Sequence, residues 1–176
     1  MDFICNNLAF VSDYKKMQGV SLNPERHTAS NALEHTEMVV KRAQELSELN
    51  KLALEEKDIL INLSYVHDIG KISGNAKPEE SVKLLEKYGK FDAGFVNLVK
   101  YHDINLPWYL SHLRGEAPSE KAWRKLLSKV NLSILCIFMV ADRADCPGGW
   151  RQNKALVWFL EEVKTKNLLP NGLITE

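Results

Sequence analysis

Apolar residues recur at helical spacing along almost the whole chain, and no run of alternating apolar and polar residues suggests a strand. That pattern restricts the fold to helices packed on helices. Length adds a second restriction: 176 residues suffice for one sizeable core and are few for two, so residues 1–176 read as a single all-α domain. A short helix is expected around Leu8 to Met17, followed by a loop through Gly19, Asn23 and Pro24. Ser30 or Asn31 can cap a helix to about Leu49, and a second covers roughly Glu55 to His67. Gly70, Gly74 and Asn75 read as a loop, Pro78 as the first turn of a third helix, and Gly89 as its stop. A fourth helix spans about Asp92 to His102. Pro107 follows it, so Leu106 to Pro118 is expected to be irregular. Pro118 and Ser119 open a fifth, an apolar sixth runs from about Leu132 to Asp145, and Asn153 to Thr165 forms the last. The expectation is a compact bundle of about six to seven helices, its core at about 20–150 and its C-terminal helix packed on it.

Several polar residues break the apolar faces of these helices. Residues three, four and seven apart share a helix face. His67 lies four after Leu63 and seven after Leu60; Asp142 lies four after Phe138 and seven after Leu135. His35 shares the stripe of Val39, Ala43 and Leu46, and His102 follows Leu98 by four. Any one of these alone suits a satisfied core residue or a local ion pair. Together they place imidazoles and carboxylates of separate helices in one interior, where unpaired carboxylates cost several kcal/mol. A divalent cation held by His35, His67, Asp68 and Asp142 is the partner all four can share. Four ligands leave positions on a six-coordinate ion for water and a phosphate oxygen. Imidazole selects manganese, iron, cobalt, nickel or zinc over magnesium or calcium.

Composition removes other function classes. Lys plus Arg number 23 and Asp plus Glu 23, so no global charge draws the chain to nucleic acid or an anionic membrane. Cys5, Cys136 and Cys146 are scattered without a CxxC pair, which points to reduced thiols rather than a disulfide framework or thiolate zinc site. The opening MDFICNNLAFVSDYKK lacks the marks of a signal peptide, and the longest apolar stretch, Ile134 to Ala141, is too short to span a bilayer. A cytoplasmic protein is expected.

His35, His67-Asp68 within LSYVHDIGK, His102 within VKYHD and Asp142 within MVADRAD resemble, over roughly residues 20 to 150, the HD-domain superfamily of metal-dependent phosphohydrolases. The resemblance implies a helical bundle around a central metal. More narrowly, GVSLNPERHTASNALEHTEMVV is similar to the segment opening the HD domain of bacterial CCA-adding tRNA nucleotidyltransferases. That likeness implies phosphatase or cyclic phosphodiesterase activity on nucleotides. No nucleotidyltransferase half accompanies it, so CCA addition is not implied. The VKYHD…VADRADCPGG end also resembles HD-type dinucleoside polyphosphate hydrolases. Two-metal members usually carry further histidines between the HD pair and the last aspartate. Residues 72–101 contain none, which favours one metal, with His102 beside it as a phosphate or outer contact.

Roles follow for the neighbours. Asp68 is placed to orient water or take its proton. Lys71, three residues on, either neutralises a transferring phosphate or is a solvated lysine at a helix end. Arg143 either reaches phosphate or makes a structural ion pair. His27 matches a histidine of the nucleotidyltransferase-like opening and is a candidate substrate contact. Trp108, His112 and Arg114 form either a base-stacking lid or exposed loop without a role. Trp150, Arg151 and Trp158 read as core or rim. The expected substrate is a small phosphorylated metabolite, a nucleotide above others. The alternative is a non-catalytic metal-containing module that binds a nucleotide or an RNA end.

Overall fold

Small polar residues set where most of the helices begin. In the computed structural model, which describes residues 4–169 and 172–175 (the side chain of Cys5 lies outside the description), these residues cap helix after helix. Asn7 opens α1 (Leu8–Lys16) and Asn31 opens α2 (Ala32–Leu49), each accepting a bond from a first-turn amide. Helix α3 (Leu54–Val66) follows, then α4 (Pro78–Tyr88) with proline in its first turn. Asp92 caps α5 (Ala93–Tyr101), and α6 (Asn105–Leu113) comes next. Ser119, Asn131 and Asn153 cap α7 (Glu120–Leu127), α8 (Leu132–Ala141) and α9 (Lys154–Thr165). Among the described residues there is no strand, only an isolated bridge between Ser21 and Asn31.

Two expectations need correction. The count is nine α-helices among the described residues, because the segment expected to be irregular contains α6. Pro107 does not prevent it. It is the third residue of that helix, where its missing N–H has no intrahelical partner to lose. Trp108 therefore lies in a helix, packed against Trp123 and Phe159, with His112 stacked on Trp158 of α9. Helix α8 is also shorter than expected: it ends at Ala141, and hydrogen-bonded turns carry the chain on through Asp145.

Helix α8 is the centre of the fold. Leu132 and Ile134 to Ala141 are all buried, so it is covered on every side and packs against α2, α3 and α9. Buried side chains from α1–α5 and α7–α9 join one apolar cluster, against which Ile104 and Trp108 also pack. The ends of α3, α5 and α8 are capped by His67, His102 and Asp142, while His35 sits in the second turn of α2. Three helix C-termini thus bring their partial negative charge toward one region, an electrostatic setting that favours a cation.

Candidate metal centre

Gly70 lets the HDIGK segment lie where it does. A Cβ there would stand 2.4 Å from the Ser81 backbone nitrogen and 2.7 Å from Glu80, so only glycine permits the 3-10 turn Ile69–Ser73 to press on α4. Gly70 N–H donates to Ser81 Oγ at 2.9 Å, and that hydroxyl donates to the His67 carbonyl at 2.6 Å. The backbone flanking His67 and Asp68 is thereby fixed from both sides.

The four expected ligands meet. His35 Nε2, His67 Nε2 and Asp142 Oδ1 form a triangle with all three sides 3.2 Å. Asp68 Oδ2 lies 3.4 Å from His67 Nε2 and 3.7 Å from His35 Nε2. Donor atoms about 2.1 Å from a shared first-row ion stand about 3.0 to 3.4 Å apart, so the triangle of His35, His67 and Asp142 suits an ion, with Asp68 Oδ2 beside it. All four residues are buried.

Tautomers reinforce the fit. His67 Nδ1 donates to the Ser64 carbonyl at 2.9 Å and His102 Nδ1 to the Val99 carbonyl at 2.7 Å. His35 Nδ1 lies 3.0 Å from Asp145 Oδ2. With Nδ1 hydrogen-bonded in His67 and His102 and facing a carboxylate in His35, Nε2 is the nitrogen left for a proton or a cation. Neutral rings would aim two lone pairs at each other across 3.2 Å, an arrangement that needs a positive charge between them. The carboxylates supply a field to match. Burial opposes charge on His67, but Asp68 and Asp142 outweigh it and raise its pKa to about 10. His35 is raised likewise, against burial, by Asp142 and Asp145. Burial would raise the Asp68 and Asp142 carboxyls; His67 and Lys71 around the first, and Arg143 and His35 around the second, hold both well below the usual range.

The remaining expected residues line the same cavity, of about 740 Å³, which also contains His27, Lys71, His102 and Arg143. Lys71 pairs with Asp68 Oδ2. Arg143 pairs with Asp142 Oδ2 and, at 2.9 Å, with Asp103 Oδ1, so it makes structural ion pairs while facing the cavity. The His102 ring stands 5.5 Å from that of His67, edge to face. His27 is half-buried and donates from Nδ1 to Asp145 Oδ2 at 2.8 Å.

A sequence profile described as HD domain matches residues 32–145, most of the chain and the whole stretch from the first ligand to the last. The chain belongs to the HD-domain family. It is therefore a member of a superfamily of metal-dependent phosphohydrolases, and its all-α fold is that of an HD domain. No curated protein and no solved structure matches it. Among the described residues of this HD domain, His35, His67 and Asp68 form one group able to hold a metal ion, and His27, His35 and Asp145 another.

Two buried polar residues of the cavity escaped the sequence reading. Asp145 is 2% exposed and faces both His27 and His35. Its signal was available, since it stands three residues after Asp142. Asn105 is wholly buried in the cavity wall, and neither side-chain amide atom has a hydrogen-bond partner among the described residues. Nothing in the sequence marks a single buried asparagine.

Proposed function

We propose that this HD domain hydrolyses a phosphate ester bond in a nucleotide or a similar small phosphorylated metabolite. The observation that carries the reading is the 3.2 Å triangle of His35 Nε2, His67 Nε2 and Asp142 Oδ1, with Asp68 beside it, His35, Asp68 and Asp142 also lining a cavity. His35, His67, Asp68 and Asp142 would hold one divalent transition ion: manganese, iron, cobalt, nickel or zinc. Such an ion supplies Lewis-acid polarisation of a phosphoryl oxygen and of water.

The protein's own groups account for the rest. Arg26, Lys71, Arg143 and Lys154 line the cavity together with Glu25, Asp68, Asp103, Asp142 and Asp145. Lysines and arginines number four against five carboxylates in that lining, so a bound divalent ion would add substantially to its attraction for an anionic substrate. Asp68 stands where it can orient water or accept its proton. Lys71, close to Asp68 Oδ2, is placed to offset charge building on the phosphate. His102 and His27 face the cavity as substrate contacts, and Arg143 holds Asp142 while its guanidinium flanks the cavity.

A cavity of about 740 Å³ is ample for a nucleotide, and Leu106, Tyr109 and Leu110 of α6 give part of its wall an apolar surface. The likeness of the opening segment to CCA-adding enzymes, and of the later motifs to dinucleoside polyphosphate hydrolases, supports the same substrate class. Free Cys136 and Cys146, and the absence among the described residues of a helix long and apolar enough to cross a membrane, accord with a cytoplasmic setting.

The test is a substrate panel run with manganese, cobalt, nickel and zinc. It contains p-nitrophenyl phosphate, nucleoside monophosphates, cyclic nucleotides and dinucleoside polyphosphates. Release of product is expected with at least one ion and lost in His67→Ala. Nucleotide binding without product under every ion would replace the hydrolase reading with that of a binding module.

A further inference from the structure

His35 belongs to both groups able to hold an ion, yet one imidazole offers one lone pair while its other nitrogen keeps a proton. The two groups are therefore alternatives. Geometry separates them. On the Nε2 side His35 meets His67, Asp68 and Asp142, three further ligand groups from two other parts of the chain. On the Nδ1 side it meets Asp145 Oδ2 at 3.0 Å, and that same oxygen already accepts the His27 Nδ1 proton at 2.8 Å. The His35 contact is an ion-pair distance without hydrogen-bond alignment, yet a carboxylate oxygen lying between the two ring Nδ1 atoms favours a proton on that side and leaves the His35 lone pair on the other.

We propose that Asp145 is a positioning residue. It fixes His35 as the Nδ1–H tautomer, so that Nε2 faces the ion, and it ties the loop bearing His27 to the same centre. The inference rests on the metal-centre reading above. The tie is double: the Asp145 carbonyl accepts the Thr28 amide at 2.8 Å and the Thr28 hydroxyl at 3.2 Å, so backbone and side chain of one residue both grip residues 27–28. The His27 and His35 rings pack edge to face with centroids 5.2 Å apart, which leaves His27 on the cavity side of the clamp. Outer carboxylates that orient a ligating histidine commonly change metal affinity about 10- to 100-fold when removed. Asp145 touches neither the reacting atoms nor the ion, so its effect runs through His35 and His27.

Zinc affinity, read by competition with a chromophoric chelator, tests this without any turnover. Asp145→Leu should weaken zinc binding about 10- to 100-fold. Asp145→Asn keeps an oxygen able to accept the His35 proton and should recover most of that loss. In the zinc-loaded wild type, long-range proton–nitrogen spectra should show a protected Nδ1–H on His35, absent in Asp145→Leu. His27→Ala should leave zinc affinity within about threefold, since the His35 contact persists, far less than the outer-shell effect. Equal zinc affinity in wild type and Asp145→Leu, with both folded by circular dichroism, overturns the role of Asp145 and leaves the hydrolase reading standing. A wild type that binds no zinc, manganese, cobalt or nickel overturns the metal centre, and this inference with it.

Discussion

Asp13 on the buried side of α1 and Asp142 at the end of α8 are both buried carboxylates held below the ordinary range, yet their surroundings differ in kind. Asp13 is ringed by donors. Lys16 Nζ reaches Oδ1 at 2.7 Å, while Lys87 Nζ and the Tyr88 hydroxyl reach Oδ2 at 2.6 and 3.0 Å. Both lysines approach from solvent, with 60% and 51% of their side chains exposed, so each ammonium stays hydrated while it neutralises the acid. Asp142 gives one oxygen to Arg143 and turns the other toward two imidazole nitrogens, His35 Nε2 and His67 Nε2, which also face each other at 3.2 Å. Burial of an acid therefore says little about metal. What separates the two sites is whether the atoms around the acid are fixed ammonium and hydroxyl donors, which finish the account locally, or imidazole nitrogens that face one another and can exchange their proton for a shared cation.

Removing a ligand should expose this difference most sharply. His67→Ala deletes one corner of the triangle, and turnover should fall by more than the roughly 100-fold ceiling for outer residues. Elemental analysis should find about one transition ion per wild-type chain and none in the variant. Asp13→Asn should keep both ion and turnover per folded molecule. If the two substitutions deplete metal equally, the contrast between the sites is false.

Metal removal comes next in size. An ion at a hundred times its dissociation constant adds about 2.7 kcal/mol of stability. For a chain of this length that corresponds to roughly 5 to 10 °C in Tm. Scanning calorimetry with and without chelator should show this shift in the wild type and in Asp13→Asn, and none in His67→Ala. A shift absent from Asp13→Asn would mean that the two clusters are coupled.

How much of this was legible beforehand follows from the same physics. Helical spacing aims a side chain at a face, so the meeting of His35, His67, Asp68 and Asp142 could be read from Leu60, Leu63, Leu135 and Phe138 around them. Spacing also marked most helices, because Asn31, Asp92, Ser119, Asn131 and Asn153 announce their own caps. It failed at α6, where Pro107 looks like a terminator unless its place within the first turn is known. Partners distant in the chain were beyond reach. Arg143 finds Asp103 across 40 positions, and Asp145 finds His27 across 118, distances at which no local pattern operates. The Asp13 cluster escaped for the same reason, since Lys87 and Tyr88 come from α4.

The smallest effect belongs to Asp13 and is a matter of pH. Burial would raise its pKa, but hydrogen bonds from Lys16, Lys87 and Tyr88 prevail and bring it from 3.8 to about 2. A depressed carboxylate pKa stabilises the fold above its unfolded value and ceases to do so as pH falls through the folded one. The contribution is therefore complete above about pH 4 and vanishes toward pH 2. Solvent around the two ammoniums trims the nominal gain to about 1 to 2 kcal/mol. Tyr88 adds a bond that does not titrate in this window, because burial and Asp13 together keep its hydroxyl protonated. Urea unfolding of wild type and Asp13→Asn should differ by that amount at pH 6, with the gap narrowing between pH 4 and pH 2. A gap of constant size would show that the asparagine disturbs packing among Phe10, Tyr14 and Tyr88 rather than charge, and the donor-ringed account of Asp13 would have to be given up.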